Sequence, residues 1–501
     1  MIATALAFAV TALGASLLEG AYLMPHRLRH RAPLATAMML GLVLALFLLW
    51  FAVSWRPVFS ATASLITLAI VAFISNFKYD VLLEPLSFAD FLLVPQIFRH
   101  PDLYYADFLR RWWFWLGVAA LLGVIAVWFA IEPTVLPRGF WPDTALLLVG
   151  AVVAIGFTTG LFLAGRAPVL GEALRRLAPR PQVPADTAHF GFFGATAIQI
   201  ARWAATPPGR ETPAPGAPHP RWPAPAPMRR TAPSIVVIQS ESFFDLAEAG
   251  FPGEVLPVIA EARARAIAHG RLTVPTEGAW TMRTEYSFLT GRPLAQFAFD
   301  ALDPYLRAAF QPPQTIAQRL REDGYATHFV HPFDIRFFQR DRIVPILGFD
   351  AAIGSEAFAP TDTYGYYLSD RALGEKVLEV VPGPGPDFVF GVSMENHNPW
   401  KRGRIPEIPD PVHQYRRHLR NADAMLGMLI AELDRRDRDT LLLFYGDHVP
   451  IMRALAHPFP DPRTHYVLLR CGRSVGPASP RRFDTGVEAL AGMLLDAARE
   501  G

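Results

Sequence analysis

The stretch that decides the fold and the chemistry of this chain is Gly278-Ala279-Trp280-Thr281-Met282-Arg283-Thr284-Glu285-Tyr286-Ser287-Phe288-Leu289-Thr290-Gly291. Its apolar residues recur at helical spacing and a glycine stands at each end, which predicts a tight turn followed by a short helix. Thr281 then lies at the helix N-terminus, where unpaired backbone N–H groups and the helix dipole favour an anion such as a phosphate. A threonine here is either an N-cap or a nucleophile, and the residues that the fold brings to it decide which.

The first third of the chain predicts a multi-span α-helical membrane anchor. The chain has 501 residues, of which 51% are hydrophobic, and its long uncharged runs are concentrated near the beginning. The first run has neither an early basic region nor a small-residue cleavage site, so we interpret it as a retained span and not as a signal peptide. Five runs are long enough to cross a bilayer, namely Ile2 to Leu18, Ala32 to Trp55, Pro57 to Phe77, Trp112 to Ile131 and Thr144 to Gly165.

Composition divides the chain into three parts. Residues 1–166 form the transmembrane domain, and residues 167–233 form a juxtamembrane segment. In that segment Phe190 to Ala205 is predicted to be a helix lying on the membrane surface, and Thr206 to Pro233 is rich in proline and alanine, which is typical of an extended tether. Residues 234–501 have the alternating pattern of a soluble domain and are predicted to be catalytic.

The soluble domain alternates strand-like and helix-like segments. This alternation predicts an α/β domain with a mostly parallel central sheet flanked by helices. Ligands of such sheets bind beyond the carboxyl ends of the strands. The runs that predict buried strands are Ser234 to Gln239, Ala326 to Val330, Phe388 to Ser393 and Thr440 to Tyr445.

Side chains that can bind a metal ion follow all four of these strands. Glu241 follows the first strand, His331 the second, His397 the third and the pair Asp447-His448 the fourth. Each of these residues alone is most often a cap or a solvated turn residue. Because the carboxyl ends of parallel strands meet at one edge of a sheet, we expect all of them in one site.

The residue types at this edge suit phosphoryl transfer. Glu241, Asp447 and His448 offer two oxygens and one nitrogen to a divalent cation. Thr281 can complete the set as an alkoxide, which makes a weak hydroxyl nucleophilic near neutral pH. His397 can protonate the leaving oxygen or orient the substrate.

Arg340 is a candidate for binding the phosphate. It lies in Phe337-Phe338-Gln339-Arg340-Asp341-Arg342. A guanidinium can capture two phosphoryl oxygens at once. The alternative from the local sequence is a surface arginine paired with Asp341.

Taken together, these segments resemble the lipoteichoic acid synthase and phosphoglycerol transferase family of the alkaline phosphatase and sulfatase superfamily. The resemblance covers the soluble domain and, more loosely, the five-span anchor. The order and spacing of the motifs carry it, since each motif alone is weakly specific. The motifs are Glu241-Ser242, Gly278-x-x-Thr281-x-x-x-Glu285-Tyr286, Phe338-Gln339-Arg340-Asp341, Asn396-His397-x-Pro399 and Tyr445-Gly446-Asp447-His448.

The resemblance implies a membrane-anchored, metal-dependent phosphoglycerol transferase. It implies that Thr281 becomes covalently glycerophosphorylated and that one divalent ion is bound, with manganese expected and magnesium or zinc as alternatives. The implied metal ligands are Glu241, Thr281, Asp447 and His448, and the implied substrate-binding residues are Arg340, His397, Phe338 and His331. Phe338 is a departure, because family members often carry tryptophan there, and this leaves the headgroup preference open.

The resemblance also implies the substrates and the location. The donor is phosphatidylglycerol in the lipid bilayer, and the acceptor is either a periplasmic glucan or a polyglycerolphosphate chain. The enzyme is expected in the cytoplasmic (inner) membrane as a multi-pass protein, with its catalytic domain on the extracytoplasmic, periplasmic side. Nucleic-acid binding is not supported, because the formal net charge is only +2.

Other functions remain open from the sequence. Sulfatases of the type that converts a cysteine or serine to formylglycine are disfavoured, because the single cysteine, Cys471, lies far from the Thr281 position. A phosphoethanolamine transferase or a sulfatase-like phosphodiester hydrolase is an alternative, although one cysteine permits none of the intramolecular disulfides that the former enzymes carry. A non-catalytic scaffold is a further alternative, against which the intact donor set argues.

The charges of the first loop conflict with the expected location. Arg27, Arg29 and Arg31 follow the first span, and the positive-inside rule would place this loop in the cytoplasm. Five spans would then leave the catalytic domain in the cytoplasm as well. We nevertheless predict an extracytoplasmic domain, because the acceptors that the resemblance implies are assembled outside the membrane.

Overall fold

In a computed structural model the chain forms two compact units, Met1–Arg210 and Glu211–Gly501. The structure describes residues 2–25, 31–100, 103, 110–135, 140–205, 232–251, 256–381, 385–436, 438–472 and 480–499. Most of the predicted tether, residues 206–231, lies outside the described residues.

The first unit is helical. Among the residues described, five helices are long and apolar enough to cross a membrane, which confirms the predicted anchor. They are Ile2–Ala21, Pro33–Ser54, Pro57–Leu82, Trp112–Ile131 and Leu148–Arg166. In chain order the helices are α1 (Ile2–Ala21), α2 (Pro33–Ser54), α3 (Pro57–Leu82), α4 (Phe88–Leu92), α5 (Val94–Arg99), α6 (Trp112–Ile131), α7 (Phe140–Leu163), α8 (Pro168–Leu177), α9 (Val183–Phe190) and α10 (Phe192–Ala205).

A polar link fixes the turn between α2 and α3 to the end of α6. The Glu132 carboxylate accepts the backbone N–H groups of Val58 and Phe59, each at 2.8 Å, at the N-terminus of α3. In return, Arg56 Nε donates to the Glu132 carbonyl oxygen at 2.8 Å. The end of α2, the start of α3 and the end of α6 therefore lie at one face of this unit.

The end of α1 lies at the opposite face of this unit. Near the far end of α3, Asn76 donates to the Tyr22 carbonyl at 2.7 Å and accepts the Met24 N–H at 2.9 Å, so the end of α1 lies there too. At this face Glu19 is buried, pairs with Arg31 and accepts the Phe193 N–H of α10 at 2.6 Å. Helix α10 therefore lies at the same face as the loop that carries Arg31.

Helix α10 is covered by protein, and its predicted position on the membrane surface stays a prediction. Buried residues occur on nearly every turn of it, from Phe192 to Ala204. It packs so closely on α2 that a Cβ atom at Gly194 would lie 3.0 Å from the Ala35 carbonyl oxygen. Its apolar residues therefore pack against protein, a distinction that the sequence pattern does not contain.

The second unit is α/β. Its strands are β1 (Ser234–Ser240), β2 (Ala268–Thr273), β3 (Ala326–Val330), β4 (Ala351–Ile353), β5 (Thr363–Tyr364), β6 (Tyr367–Leu368), β7 (Asp387–Val392), β8 (Thr440–Gly446), β9 (Thr464–Cys471), β10 (Arg481–Arg482) and β11 (Thr485–Gly486). Its helices are α11 (Pro257–Ala264), α12 (Thr281–Thr290), α13 (Pro304–Ala308), α14 (Ile316–Glu322), α15 (Arg340–Ile346), α16 (Asp370–Val380), α17 (Pro411–Arg435) and α18 (Val487–Arg499).

One sheet organises this unit, in the order β10-β2-β9-β8-β1-β7-β3-β4, with β11 paired to β2 and with β5 and β6 forming a separate hairpin. The five strands from β8 to β4 are parallel, which confirms the predicted fold class. Strand β9 runs antiparallel to both β8 and β2, and the sequence pattern did not reveal it. The four predicted strands are β1, β3, β7 and β8, each within one residue at either end.

Strand β1 lies at the centre of the sheet and is buried along its whole length. On one face Val236 and Ile238 pack in a core that includes Leu426 of α17. On the other face of the sheet, Phe288 of α12 stacks on Phe390 of β7, with ring centroids 5.4 Å apart. The helices on both faces hold the carboxyl end of β1 in place beside those of β7 and β8.

Candidate active site

The site begins where β1 ends, between β7 and β8. Ser242 takes a left-handed conformation with φ 50°, which turns the chain sharply after the strand. The Glu241 N–H donates to the Ser393 hydroxyl at 2.9 Å, and the Ser242 N–H donates to Asp447 Oδ1 at 2.8 Å. These bonds fix Glu241 between the ends of the two neighbouring strands.

Glu241, Asp447 and His448 are brought together as the sequence predicted. Each is buried and offers one ligand atom within 4.8 Å of the other two. His448 Nε2 lies 3.4 Å from Glu241 Oε1 and 3.5 Å from Asp447 Oδ2. His448 Nδ1 donates to the Val449 carbonyl at 3.0 Å, which leaves the lone pair of Nε2 directed at the carboxylates.

This donor set fits a divalent cation. Within the described residues, Asp447 Oδ2 is buried without a hydrogen-bond partner. Burial, and then the charge of Glu241, raise the pKa of the Asp447 carboxyl well above its ordinary value. A bound cation would relieve both effects, and two carboxylates with one imidazole suit manganese, magnesium or zinc.

Thr281 lies against this donor set. It is the first residue of α12, and its Oγ1 donates to Glu241 Oε2 at 3.2 Å. The N-cap position belongs to Trp280, which has a left-handed φ of 65° and makes no side-chain cap bond. The N-cap interpretation of Thr281 is therefore wrong, and the hydroxyl is directed toward the carboxylates instead.

Helix α12 is fixed to the sheet by buried polar bonds. Gln239 Nε2 of β1 donates to the Thr281 carbonyl at 3.3 Å, and Tyr445 of β8 donates to Gln239 Oε1 at 2.7 Å. The Thr284 hydroxyl donates to the Asp447 carbonyl at 2.9 Å. Gly278 makes the approach to the helix possible, because it has φ 75° and a Cβ atom there would meet the side chain of Ile451 at 2.4 Å.

Arg340 is not a surface residue paired with Asp341. It is buried, and its guanidinium forms a two-point ion pair with Glu285 on α12, in which Nε donates to Oε2 at 3.3 Å. Tyr305 donates to the same Oε2 at 2.6 Å. The sequence motif contained Glu285, but no pattern showed that it would neutralise Arg340.

His331 orients Arg340. Its Nδ1 donates to the Val392 carbonyl at 2.9 Å, and its Nε2 accepts from Arg340 Nη1 at 3.3 Å. Burial, and then the positive charge of Arg340, lower the pKa of His331 well below its ordinary value, so the ring is neutral. Both ring nitrogens therefore have protein partners, and a direct contact of His331 with substrate stays a prediction.

His397 and Phe338 lie on two sides of this region. His397 Nδ1 donates to the Asn398 carbonyl at 2.7 Å, which leaves Nε2 for chemistry. Burial lowers the pKa of His397, and the negative charge of Glu241 opposes this shift. The Phe338 and Trp280 rings are nearly parallel, with centroids 6.5 Å apart. The Phe338 ring centroid also lies 5.2 Å from the Arg340 guanidinium carbon. Phe338 therefore contributes an aromatic surface beside the nucleophile.

Arg404 was missed by the sequence analysis. It is buried and donates to the backbone carbonyls of Glu395, His397 and Pro399, and so holds the loop that carries His397. Burial lowers its pKa to about 10, so it stays charged at neutral pH. Its sequence context, Lys401-Arg402-Gly403-Arg404, is typical of a solvated turn, so no feature of the sequence indicated a buried arginine beside the site.

Comparison with known proteins gives the family. A sulfatase family model matches residues 233–467. Capsular polysaccharide biosynthesis protein RkpI of Rhizobium meliloti (strain 1021) is 32% identical over 475 residues, which cover 91% of this chain and 85% of RkpI. A putative cyclic beta-1,2-glucan modification protein of the same strain is 27% identical over 237 residues, 44% of this chain and 36% of that protein.

Phosphoglycerol transferase I of Xanthomonas euvesicatoria pv. vesicatoria (strain 85-10) is 22% identical over 269 residues, 49% of this chain and 38% of that protein. The matches to the glucan modification protein and to phosphoglycerol transferase I therefore cover less than two fifths of the length of each. The similarity to RkpI covers both units of this chain, and the family match includes every strand end that forms the site. This chain belongs to the family of RkpI, and its residues 233–467 form a sulfatase-family domain.

Proposed function

We propose that this protein is a membrane-anchored phosphoglycerol transferase that moves glycerol phosphate from phosphatidylglycerol to an extracytoplasmic acceptor through a phosphoglycerol–Thr281 intermediate. The observation that carries the proposal is the contact of the Thr281 hydroxyl with Glu241 at the N-terminus of α12. A hydroxyl that only capped the helix would bond to the backbone, and a scaffold would need no buried set of metal-binding side chains beside it.

The first half-reaction uses Thr281 and His397. A divalent cation held by Glu241, Asp447 and His448 would favour the alkoxide of Thr281 and reduce the repulsion between this alkoxide and the phosphate. Thr281 Oγ1 forms a bond to the phosphorus while the bond to the diacylglycerol oxygen breaks. Protonated His397 gives the Nε2 proton to that oxygen.

The second half-reaction restores both groups. Neutral His397 takes the proton from the acceptor hydroxyl, whose oxygen forms a bond to the phosphorus. The bond between the phosphorus and Thr281 Oγ1 breaks, so that the alkoxide returns and His397 is protonated again. Charge and protons therefore balance over the cycle, and diacylglycerol and the modified acceptor are the products.

In this proposal Arg340 orients the phosphate through hydrogen bonds and adds little net positive charge to the site. Glu285 already neutralises it, and Glu285 and His331 engage Nε, Nη1 and Nη2 while leaving further N–H groups on the guanidinium. In this proposal those groups bind a phosphoryl oxygen, and His331 acts through Arg340. Phe338 and Trp280 exclude water from one side of the glycerol phosphate.

The relatives support an acceptor outside the cytoplasm. One is named for capsular polysaccharide biosynthesis and one for cyclic beta-1,2-glucan modification, and both names concern glycans. We infer a catalytic unit on the periplasmic side of the inner membrane, a manganese ion in the site, and either a glucan or a polyglycerolphosphate chain as acceptor.

The decisive experiment supplies phosphatidylglycerol labelled in its headgroup to the purified full-length protein with manganese. We expect label on the protein, localised to the peptide that contains Thr281, and unlabelled diacylglycerol as the first product. Phosphatidylethanolamine with the same acyl chains is the matched control. Label transferred from phosphatidylethanolamine alone would assign the phosphoethanolamine transferase alternative, and release of free glycerol phosphate without any adduct would assign a hydrolase.

A further inference from the structure

Beside His397, a hairpin places three tyrosines among three cations. Strands β5 and β6 pair Tyr364 with Tyr367, and Tyr366 lies in the turn between them. The Arg417 guanidinium lies 5.9 Å from the Tyr364 ring, Lys401 Nζ lies 5.7 Å from the Tyr366 ring, and the Arg404 guanidinium lies 5.4 Å from the rings of both Tyr366 and Tyr367. We call the six residues Tyr364, Tyr366, Tyr367, Lys401, Arg404 and Arg417 the cation–tyrosine rim.

The rim begins at the residue that handles the acceptor proton in the proposed reaction. The Tyr367 ring meets the His397 ring edge-on at 5.6 Å, and the Tyr367 hydroxyl donates to the Asn398 carbonyl at 3.3 Å. Arg404 donates to the His397 carbonyl and also stacks on two rim tyrosines. A molecule lying on the rim would thus have one end at His397.

The outer part of the rim is open to solvent. The Tyr366 side chain is 43% exposed, and Lys401, Arg417 and the adjacent Arg402 are exposed as well. Arg404 is buried and, in the part of the chain that the structure describes, forms no salt bridge, because its hydrogen bonds all go to neutral carbonyls. The rim therefore combines aromatic surface with the positive charges of Lys401, Arg404 and Arg417.

The charge near the rim remains positive after its acidic neighbours are considered. The exposed or half-buried carboxylates nearest to the rim along the chain are Asp362, Glu407 and Asp410, and they are fewer than the four cations Lys401, Arg402, Arg404 and Arg417. Asp410 accepts the His413 N–H at 2.8 Å as the N-cap of α17 and also pairs with the His413 ring at 3.2 Å. Such a surface raises the local concentration of anions and accelerates their association.

The rim lacks the side chains of a membrane-inserting surface. In the described part of the catalytic unit, the exposed large hydrophobic residues are Phe310, Tyr366 and Phe483, and only Tyr366 belongs to the rim. Surfaces that enter the bilayer interface present several tryptophan, phenylalanine or leucine side chains together. The rim instead offers flat rings and cations, the combination that binds polar, hydroxyl-bearing ligands.

We propose that the cation–tyrosine rim binds the acceptor, and that this acceptor is an acidic polyhydroxyl chain, such as an acidic glycan or a polyol phosphate, and not a neutral glucan. This inference rests on the proposed function, because it assigns a surface to the second substrate. The acceptor hydroxyl would reach His397 while the units behind it pack on Tyr366 and lie beside Lys401 and Arg417. Specificity for negative charge would come from the cations and not from the catalytic residues.

Binding tests the inference without turnover. Full-length Thr281→Ala protein is titrated calorimetrically with an oligogalacturonate and with a neutral malto-oligosaccharide of equal length. We expect the acidic oligomer to bind at least about tenfold more tightly at low salt and to lose this advantage as the salt concentration rises. The triple variant Lys401→Gln/Arg402→Gln/Arg417→Gln should lose it as well. Equal binding of the two oligomers would overturn the inference.

Arg435→Gln is the matched control for the triple variant. Arg435 is an exposed arginine on the same helix as Arg417, about 27 Å farther along α17. We expect this variant to bind the acidic oligomer as the parent protein does. If Arg435→Gln weakened binding as much as the triple variant, the effect would be one of total charge and the rim would not be the site.

Turnover separates the acceptor from the donor. With labelled phosphatidylglycerol in vesicles and no acceptor, adduct formation in the triple variant should stay within about twofold of wild type, while the KM for the acidic acceptor should rise about tenfold. A matching loss of adduct formation would place the rim against the bilayer and overturn the inference. Absence of any adduct in wild type would refute the proposed function. The binding measurement would still show whether the rim binds the acidic oligomer.

Discussion

Glu285 and Arg340 form a fully buried two-point ion pair, in which Arg340 Nε donates to Glu285 Oε2 at 3.3 Å and Nη2 donates to Oε1. Glu285 lies one helical turn after Thr281 on α12, and Arg340 opens α15. The pair therefore connects the helix of the nucleophile to the group that is proposed to bind the phosphate.

The first prediction concerns this pair. Glu285→Gln leaves the Arg340 charge buried without a partner, which should destabilise the catalytic unit by about 3 kcal/mol and reduce adduct formation strongly. Tyr305→Phe, which removes only one hydrogen bond to Glu285, should cost about 1 kcal/mol and retain most activity. Thermal unfolding and adduct mass measure both effects. Similar losses of stability and adduct formation in the two variants would show that neutralising the Arg340 charge is not the role of Glu285.

The nucleophile gives the second prediction. Thr281→Ala should abolish the covalent phosphoglycerol adduct and turnover, because no other hydroxyl replaces its oxygen, while the melting temperature stays within a few degrees of wild type. Thr281→Ser keeps the oxygen and should retain measurable adduct. Intact mass spectrometry after incubation with phosphatidylglycerol detects the added group. Wild-type turnover in Thr281→Ala would refute the covalent mechanism.

The third prediction concerns the metal ion. Asp447→Asn and His448→Ala should each lose manganese and activity together, because each change removes a charge or a ligand from a set of few donors. His418→Ala is the control, since this histidine is buried and bonds to Glu395 instead. Elemental analysis after manganese reconstitution and desalting gives the occupancy. A variant that retained a full equivalent of manganese would remove the changed residue from the ligand set.

The fourth prediction settles the side of the membrane. The links at Asn76 and Glu132 put the end of α1 and the end of α6 at opposite faces of the helical unit. We expect Arg321→Cys, exposed in the catalytic unit, to react with an impermeant maleimide once the outer membrane is permeabilised, and Thr134→Cys to react only after the inner membrane is lysed. Both variants carry Cys471→Ala. The reverse pattern would place the catalytic unit in the cytoplasm.

Acid sensitivity gives the fifth prediction. Burial lowers the pKa of His465 to about 4, assisted by Arg263 and opposed by Glu248 and Asp245. Between about pH 6.5 and pH 4 the unfolded chain binds a proton that the folded chain does not, so stability must fall as the pH falls through this range. Over this range the free energy of unfolding should fall by about 3 kcal/mol. In His465→Asn, chemical unfolding at pH 7 and pH 4.5 should differ by less, and an unchanged difference would exclude His465 as its source.

The sequence predicted which residues would meet at this edge of the sheet, because their positions follow from local rules. Glu241, Asp447 and His448 follow the ends of strands, and Thr281 opens a helix whose turn needs Gly278. Each of these features leaves a short, continuous signal in the chain. The parallel order of β7, β1 and β8 then brings them together without further information.

The groups that the sequence did not reveal depend on distant partners. Glu285 acquires its role from Arg340, 55 residues later, and Arg404 acquires its role from the backbone of a loop that a local pattern cannot position. Helix α10 shows the same limit, because an apolar face is equally compatible with lipid and with protein. Buried pairing and packing are properties of the assembled fold and leave no periodic trace.

The central position of β1 has a consequence for biosynthesis. Its partner on one side, β7, begins at Asp387, and on the other side Thr440 of β8 pairs with Ser234. At ribosomal rates the roughly 200 residues between Ser234 and Thr440 take about 10–40 s to appear. For that interval the apolar strand Ser234-Ile235-Val236-Val237-Ile238-Gln239-Ser240 has an edge that any other strand can pair with. The yield of active protein should therefore depend on how well the cell shields this one segment while the ribosome is still at work.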